Sequence, residues 1–96
     1  MKSGRPLIVV FGASWCAPCK KMKKDVLVPL MESKKLAEYL VAYVDVDNQP
    51  KIYKNMIDGK ILIPAVVVFK KKQSGWEVKR KKGYLNQAKF LELIKW

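Results

Sequence analysis

Cys16 and Cys19 are the only cysteines of this chain, and they stand in Trp15-Cys16-Ala17-Pro18-Cys19-Lys20. A Cys-x-x-Cys pair delivered to the first turn of a helix sets up thiol–disulfide exchange. The thiolate is the attacking species, and the positive end of the helix dipole favours it. Pro18 suits that first turn, where its missing N–H would have had no intrahelical partner. Lys20 and Lys21 add positive charge that favours a thiolate at Cys16. A pair this close closes too small a loop to contribute much as a structural crosslink. It is also half of a four-ligand zinc site, and the chain has no histidine to complete one, so a metal would need two chains. Without histidine, Ser/His/Asp and Cys/His hydrolase chemistry is excluded.

The elements that must position the pair follow from periodicity. Residues 7–11 (Leu-Ile-Val-Val-Phe) form an apolar, β-branched run that predicts a strand buried on both faces. Gly12, Ala13 and Ser14 turn the chain out towards the cysteines. From about Ala17 the period becomes helical, with Cys19, Met22, Val26 and Leu30 on one stripe and Leu27 widening it. That spacing faces Cys19 inward and leaves Cys16 at an exposed tip. Pro29 is expected to end or kink the helix. Ser33 is expected to cap a short helix carrying Leu36, Ala37 and Leu40.

Residues 40–46 alternate as a strand, with Leu40, Ala42, Val44 and Val46 on one face and Val41 and Tyr43 on the other. A turn at residues 47–50 leads to a helix over residues 51–56 with Ile52, Tyr53 and Met56 inward, stopped by Asp58-Gly59. Pro64 stands ahead of a second apolar strand at residues 65–69, where proline is tolerated. Residues 70–75 read as a hairpin turn and residues 76–80 as an edge strand. Gly83 breaks the chain, and Asn86 caps a last helix burying Phe90, Leu91 and Ile94. Trp76 and Tyr84 are assigned to core or edge packing. The order is β-α-β-α-β-β-α, an α/β fold with a four-stranded mixed sheet flanked by helices. The pair then sits at the carboxyl end of the first strand, where open α/β sheets place their sites.

Ninety-six residues, half of them hydrophobic, are expected to make one domain, 1–96. Lys+Arg number 20 against 8 Asp+Glu, a net charge of +12 that suits either a solvated lysine surface or an acidic partner. The first thirteen residues resemble a secretory leader only weakly: Phe11 is too bulky for the site before a cut after Ala13, and the cut would remove the first strand. The expectation is a cytoplasmic protein without a membrane span, periplasmic if a leader had preceded Met1.

The chain resembles the thioredoxin superfamily over almost its whole length. Trp15-Cys16-Ala17-Pro18-Cys19-Lys20 is similar to the family's Trp-Cys-Gly-Pro-Cys-Lys signature, with alanine for glycine. Ile63-Pro64 falls where the family has a cis-proline, and Gly83 precedes the last helix as it does there. The stretches from Cys19 to Val26 and from Lys82 to Phe90 also look like the C-terminal domain of the transmembrane thiol reductase DsbD. The resemblance starts at the first strand of the family's minimal fold, so the family's extra N-terminal strand and helix are expected to be absent. Val10 stands where thioredoxins carry a buried acid, and Tyr43 where they carry the partnering lysine.

The resemblance implies a small thiol–disulfide oxidoreductase that reduces protein disulfides, with no cofactor beyond a redox-active Cys16–Cys19 disulfide. Cys16 would be the nucleophile and Cys19 the resolving thiol. Trp15, Ala17, Pro18, Ile63 and Pro64 would form the substrate-binding surface, with Ile63 offering backbone groups to an extended substrate strand. Expected partners are protein disulfides, an upstream thiol reductase and acidic partner surfaces, for a monomer that binds no nucleic acid. The competing class is a basic binding or redox-sensing module, nucleic-acid associated, with a non-catalytic cysteine pair. Lysine outnumbers arginine heavily, and no aromatic–basic RNA motif or zinc-finger spacing is present, which weighs against that class.

Overall fold

The structure is a computed structural model that describes residues 4–57 and 62–95. Four strands form one sheet: β1 (Leu7–Gly12), β2 (Leu40–Asp45), β3 (Ala65–Lys72) and β4 (Gly75–Lys82). Their spatial order is β2-β1-β3-β4, with β1 and β2 parallel and the other neighbours antiparallel. The helices are α1 (Ala17–Met22), α2 (Val28–Glu32), α3 (Pro50–Met56) and α4 (Gln87–Ile94). A π-helical turn, Lys23–Leu27, joins α1 to α2. The mixed α/β architecture and element order are those the periodicity predicts.

The two central strands divide the core. Ile8 and Val10 of β1, with Val66 and Val68 of β3, pack against Met22, Val26, Leu30, Phe90 and Ile94. The alternate residues Val9, Phe11, Ala65 and Val67 pack on the other face with Tyr53 and Ile57. Both strands are therefore buried on both faces, which is why they read as continuous apolar runs. Tyr53 and Phe11 meet edge to face, 5.2 Å between ring centroids.

Pro29 does not end the first helix. The helical path continues to Glu32 because the wide turn before Pro29 makes room for its ring: the Val28 N–H donates five residues back, to Lys23 O. The carbonyl that an ordinary residue at 29 would have bonded is that of Asp25. The Gln87 side-chain amide, at the start of α4, donates to it at 2.9 Å.

Ser33 closes this helix and does not open another; residues 33–38 are turns and Tyr39 is a bend. Lys34 is left-handed, with φ 65°. Its N–H bonds Met31 O at 3.1 Å, and the Lys35 N–H bonds Leu30 O at 3.1 Å. This is a Schellman closure carrying lysine where glycine is usual. Of the residues assigned to a helix here, Leu36 is buried, while Ala37 and Leu40 are exposed. Lys34→Gly removes the Cβ clash of the left-handed conformation and leaves the hydrogen bonds in place. Urea denaturation should show a gain of about 0.5–1 kcal/mol, and a loss would contradict this description of the turn.

The hairpin is tighter than the lysine run suggests. Strand pairing continues through Lys70↔Glu77, Lys71↔Trp76 and Lys72↔Gly75, leaving Gln73 and Ser74 as the loop. The apolar run stops where the core stops, while backbone pairing needs no apolar side chain. β4 is an edge strand, as its alternation predicts. The expected stop at Asp58-Gly59 lies outside the described residues. Among the described residues, no helix is long and apolar enough to cross a membrane.

Candidate active site

Topology brings the site residues together. β1 and β2 run parallel, so their carboxyl ends are neighbours: Gly12 pairs with Asp45, and the Val46 N–H bonds Gly12 O at 3.0 Å. β3 runs the other way, so its first residue, Ala65, pairs with Phe11. The segment Leu62-Ile63-Pro64 therefore arrives at the end of the sheet where the cysteines leave. The Ile63-Pro64 peptide is cis.

Cys16 is the N-cap of α1, with extended backbone (φ −94°, ψ 105°), and Pro18 lies in the first turn. Its sulfur accepts the Cys19 N–H at 3.2 Å. One of the N–H groups left without a partner at the helix start thus points at Cys16 Sγ, the arrangement that stabilises a thiolate. Cys16 and Cys19 are joined by a disulfide, with Cα atoms 5.2 Å apart, an ordinary separation for such a bridge.

Cys19 is fully buried, as the helical stripe predicts. Cys16 is not the exposed tip that the same spacing suggests, since only 6% of it is accessible. The segment before β3 covers it: the Ile63 carbonyl oxygen lies 3.9 Å from Cys16 Sγ. Helical periodicity sees only the helix, and the covering residue comes from 47 positions away.

The exposed ground is around the pair. Ala17 and Pro18 are exposed, Ile63 is half-buried and Pro64 is buried. Trp15 is 66% exposed, and its indole Nε1–H donates to Asp47 Oδ2 at 2.7 Å. Leu62 is 55% exposed. Tyr53 holds it from beneath, accepting the Leu62 N–H at 2.9 Å and donating to its carbonyl at 3.2 Å. Lys20 and Lys21 are both exposed on α1. The Lys21 ammonium stands 5.6 Å from the centre of the Tyr84 ring.

Three of these residues escape sequence reasoning. Asp47 follows the strand parallel to β1, and an acid just past that strand is the signal that could have placed it near Trp15. Leu62 precedes the Ile63-Pro64 pair, so its place at the site could have been read from that adjacency. Tyr84 is no core residue: it is exposed and beside α1. Gly83 sends it there, with φ 102°, a conformation that favours glycine, and its N–H on Pro64 O at 2.7 Å. Trp76 is likewise more than a third exposed, on the edge strand. Val10 is buried against Met22 and Val26, directly opposite Tyr43 in the β1–β2 register.

A cysteine pair joined at a helix start, at the end of a mixed sheet and beside the segment that leads into β3, is the arrangement of a thiol–disulfide oxidoreductase. The family model for the thioredoxin-like domain matches residues 1–95. The chain belongs to the thioredoxin superfamily. It is 32% identical to a thioredoxin of Mycobacterium tuberculosis (strain H37Rv) over 94 residues, spanning 95% of this chain and 72% of the relative. Chloroplastic thioredoxin z has a similar structure, with TM-score 0.77 and 26% identity over 97% of this chain and 78% of that one. So has oxidised mitochondrial thioredoxin 3 of Saccharomyces cerevisiae, with TM-score 0.76 and 26% identity over 98% of this chain and 80% of that one.

Proposed function

We propose that this protein is a reductant of protein disulfides acting through its Cys-Ala-Pro-Cys motif. The observation that carries the reading is the Cys16–Cys19 disulfide, with the Cys16 sulfur between the helix-start N–H of Cys19 and the carbonyl of Ile63. In the reduced protein the Cys16 thiolate attacks one sulfur of a substrate disulfide. That S–S bond breaks, one substrate thiolate leaves, and a Cys16–substrate mixed disulfide forms. Cys19 then attacks Cys16 Sγ, the second substrate thiolate leaves, and the Cys16–Cys19 disulfide is restored. Two electrons pass from the protein's thiols to the substrate, and an upstream thiol reductase returns them.

Trp15, Ala17, Pro18, Ile63 and Pro64 serve in this reading as the substrate-docking surface, now extended by Leu62 and Tyr84. An extended substrate strand meets the backbone of Ile63. Lys20 and Lys21 raise the potential at the site and favour the thiolate. The net charge of +12 suits substrates with acidic surfaces. The test is reduction of insulin with dithiothreitol as electron source, read as turbidity. A rate above the dithiothreitol background supports the reading, and no acceleration removes it.

A further inference from the structure

Resolution requires Cys19 to act as a thiolate, and Cys19 is fully buried. Burial among apolar groups opposes that charge. The cluster that holds the two cysteines is apolar apart from Tyr53, whose hydroxyl is engaged with Leu62. A second phenol, that of Tyr43 on β2, stands near Cys19 across Gly12.

Gly12 reveals it. A Cβ built on Gly12 would overlap the Tyr43 hydroxyl, and would stand 2.7 Å from Tyr43 Cζ and 3.2 Å from Cys19 Cβ. The hydroxyl and Cys19 Cβ therefore flank the same small space, which exists only because residue 12 has no side chain. Gly12 continues β1 in register with Asp45, so what glycine supplies here is room. Cys19 Sγ is one bond beyond that Cβ. The Lys23 ammonium lies over the Tyr43 ring, 4.6 Å from its centre.

We propose that the Tyr43 hydroxyl donates a hydrogen bond to the Cys19 sulfur and stabilises its thiolate while it resolves the mixed disulfide. The proposal rests on the reading of Cys19 as the resolving thiol. Burial first, and the nearby Asp45 carboxylate second, push the Tyr43 phenol above its ordinary value. The phenol thus keeps its proton, and remains a donor, over the range in which thiols titrate. The charged or titratable groups facing this pair are Lys23 and Cys16 from the helix side and Asp45 from β2. In the resolving step the Cys19 electron pair forms the bond to Cys16 Sγ. The Cys16–substrate bond breaks, its pair leaves on the substrate sulfur, and the Cys19 proton has gone to solvent. Tyr43 keeps its own proton throughout.

The test is stopped-flow reaction of the reduced full chain with 5,5′-dithiobis(2-nitrobenzoate) across pH. The first release of nitrothiobenzoate reports attack by Cys16, and the second reports resolution by Cys19. A hydrogen bond to a charged group is worth enough to shift an equilibrium or rate about tenfold. Tyr43→Phe should therefore slow the second release about tenfold near neutral pH and raise its pH midpoint by about one unit, with the first release unchanged. Gly12→Ala, which drives the ring out of its space without deleting the hydroxyl, should do the same and carries the test if Tyr43→Phe folds poorly. An unchanged second release, or both releases slowed alike, overturns the proposal. This readout needs no protein substrate, so failure of insulin reduction with a normal Tyr43 effect would count against the proposed function alone.

Discussion

Cys16→Ser should lower insulin reduction to the dithiothreitol background. Exchange begins with a thiolate, and a serine hydroxyl is not ionised at neutral pH and does not form the mixed disulfide. No other thiol can take its place, because Cys19 is the only other cysteine and is fully buried. The fold should survive: Cys16 sits at the rim of the core, and serine is a good N-cap that can accept the Cys19 N–H. Circular dichroism should match the parent, which separates lost chemistry from lost structure. Appreciable reductase activity in this variant would remove Cys16 as the nucleophile.

Cys19→Ser should behave differently. Cys16 still attacks, but the mixed disulfide waits for an external thiol. Well-oriented intramolecular reactions reach effective molarities on the order of 10⁵ M. Against millimolar dithiothreitol, turnover should fall by at least about a hundredfold. Non-reducing gels and mass spectrometry should show the chain joined to insulin through Cys16. Wild-type turnover with no trapped species would take Cys19 out of the mechanism.

The parts legible in the sequence are those set by local period. β1 and β3 are buried on both faces, so their apolar runs announce them. The stripe of Met22, Val26 and Leu30 fixes which side of the helix packs. The Asn86 cap is local too, with its Oδ1 accepting the Lys89 N–H at 2.8 Å. The Ile63-Pro64 bond and its place by the cysteines came from resemblance, not from periodicity.

What stayed hidden depends on distant partners. Pro29 reads as an end or kink of the helix because its consequences are judged locally, whereas the Gln87 amide that takes up the Asp25 carbonyl stands 62 residues from Asp25. Ser33 has a residue type favoured at helix starts, yet its hydroxyl donates back to Leu30 O at 3.1 Å and closes the turn. The covering of Cys16 by Ile63, and the phenol of Tyr43 beside Gly12, are products of the sheet order. No single stretch contains them.

Alkylation of the reduced protein shows whether Cys16 is an activated thiolate at a helix start. The helix dipole contributes about 0.3–1 kcal/mol at exposed sites and up to about 2 kcal/mol where the group is largely shielded from water, as Cys16 is. A hydrogen bond to a charged sulfur adds about 1.5–3 kcal/mol. At about 1.36 kcal/mol per pKa unit, these contributions should place the Cys16 thiol below the free-thiol reference of about 8.5. Iodoacetamide reactivity is measured against pH, with each site assigned by mass spectrometry. One phase at Cys16 is expected, with a midpoint below that reference, and Cys19 should react later and at higher pH. A Cys16 that titrates like a free thiol, or a Cys19 that reacts first, would contradict this expectation.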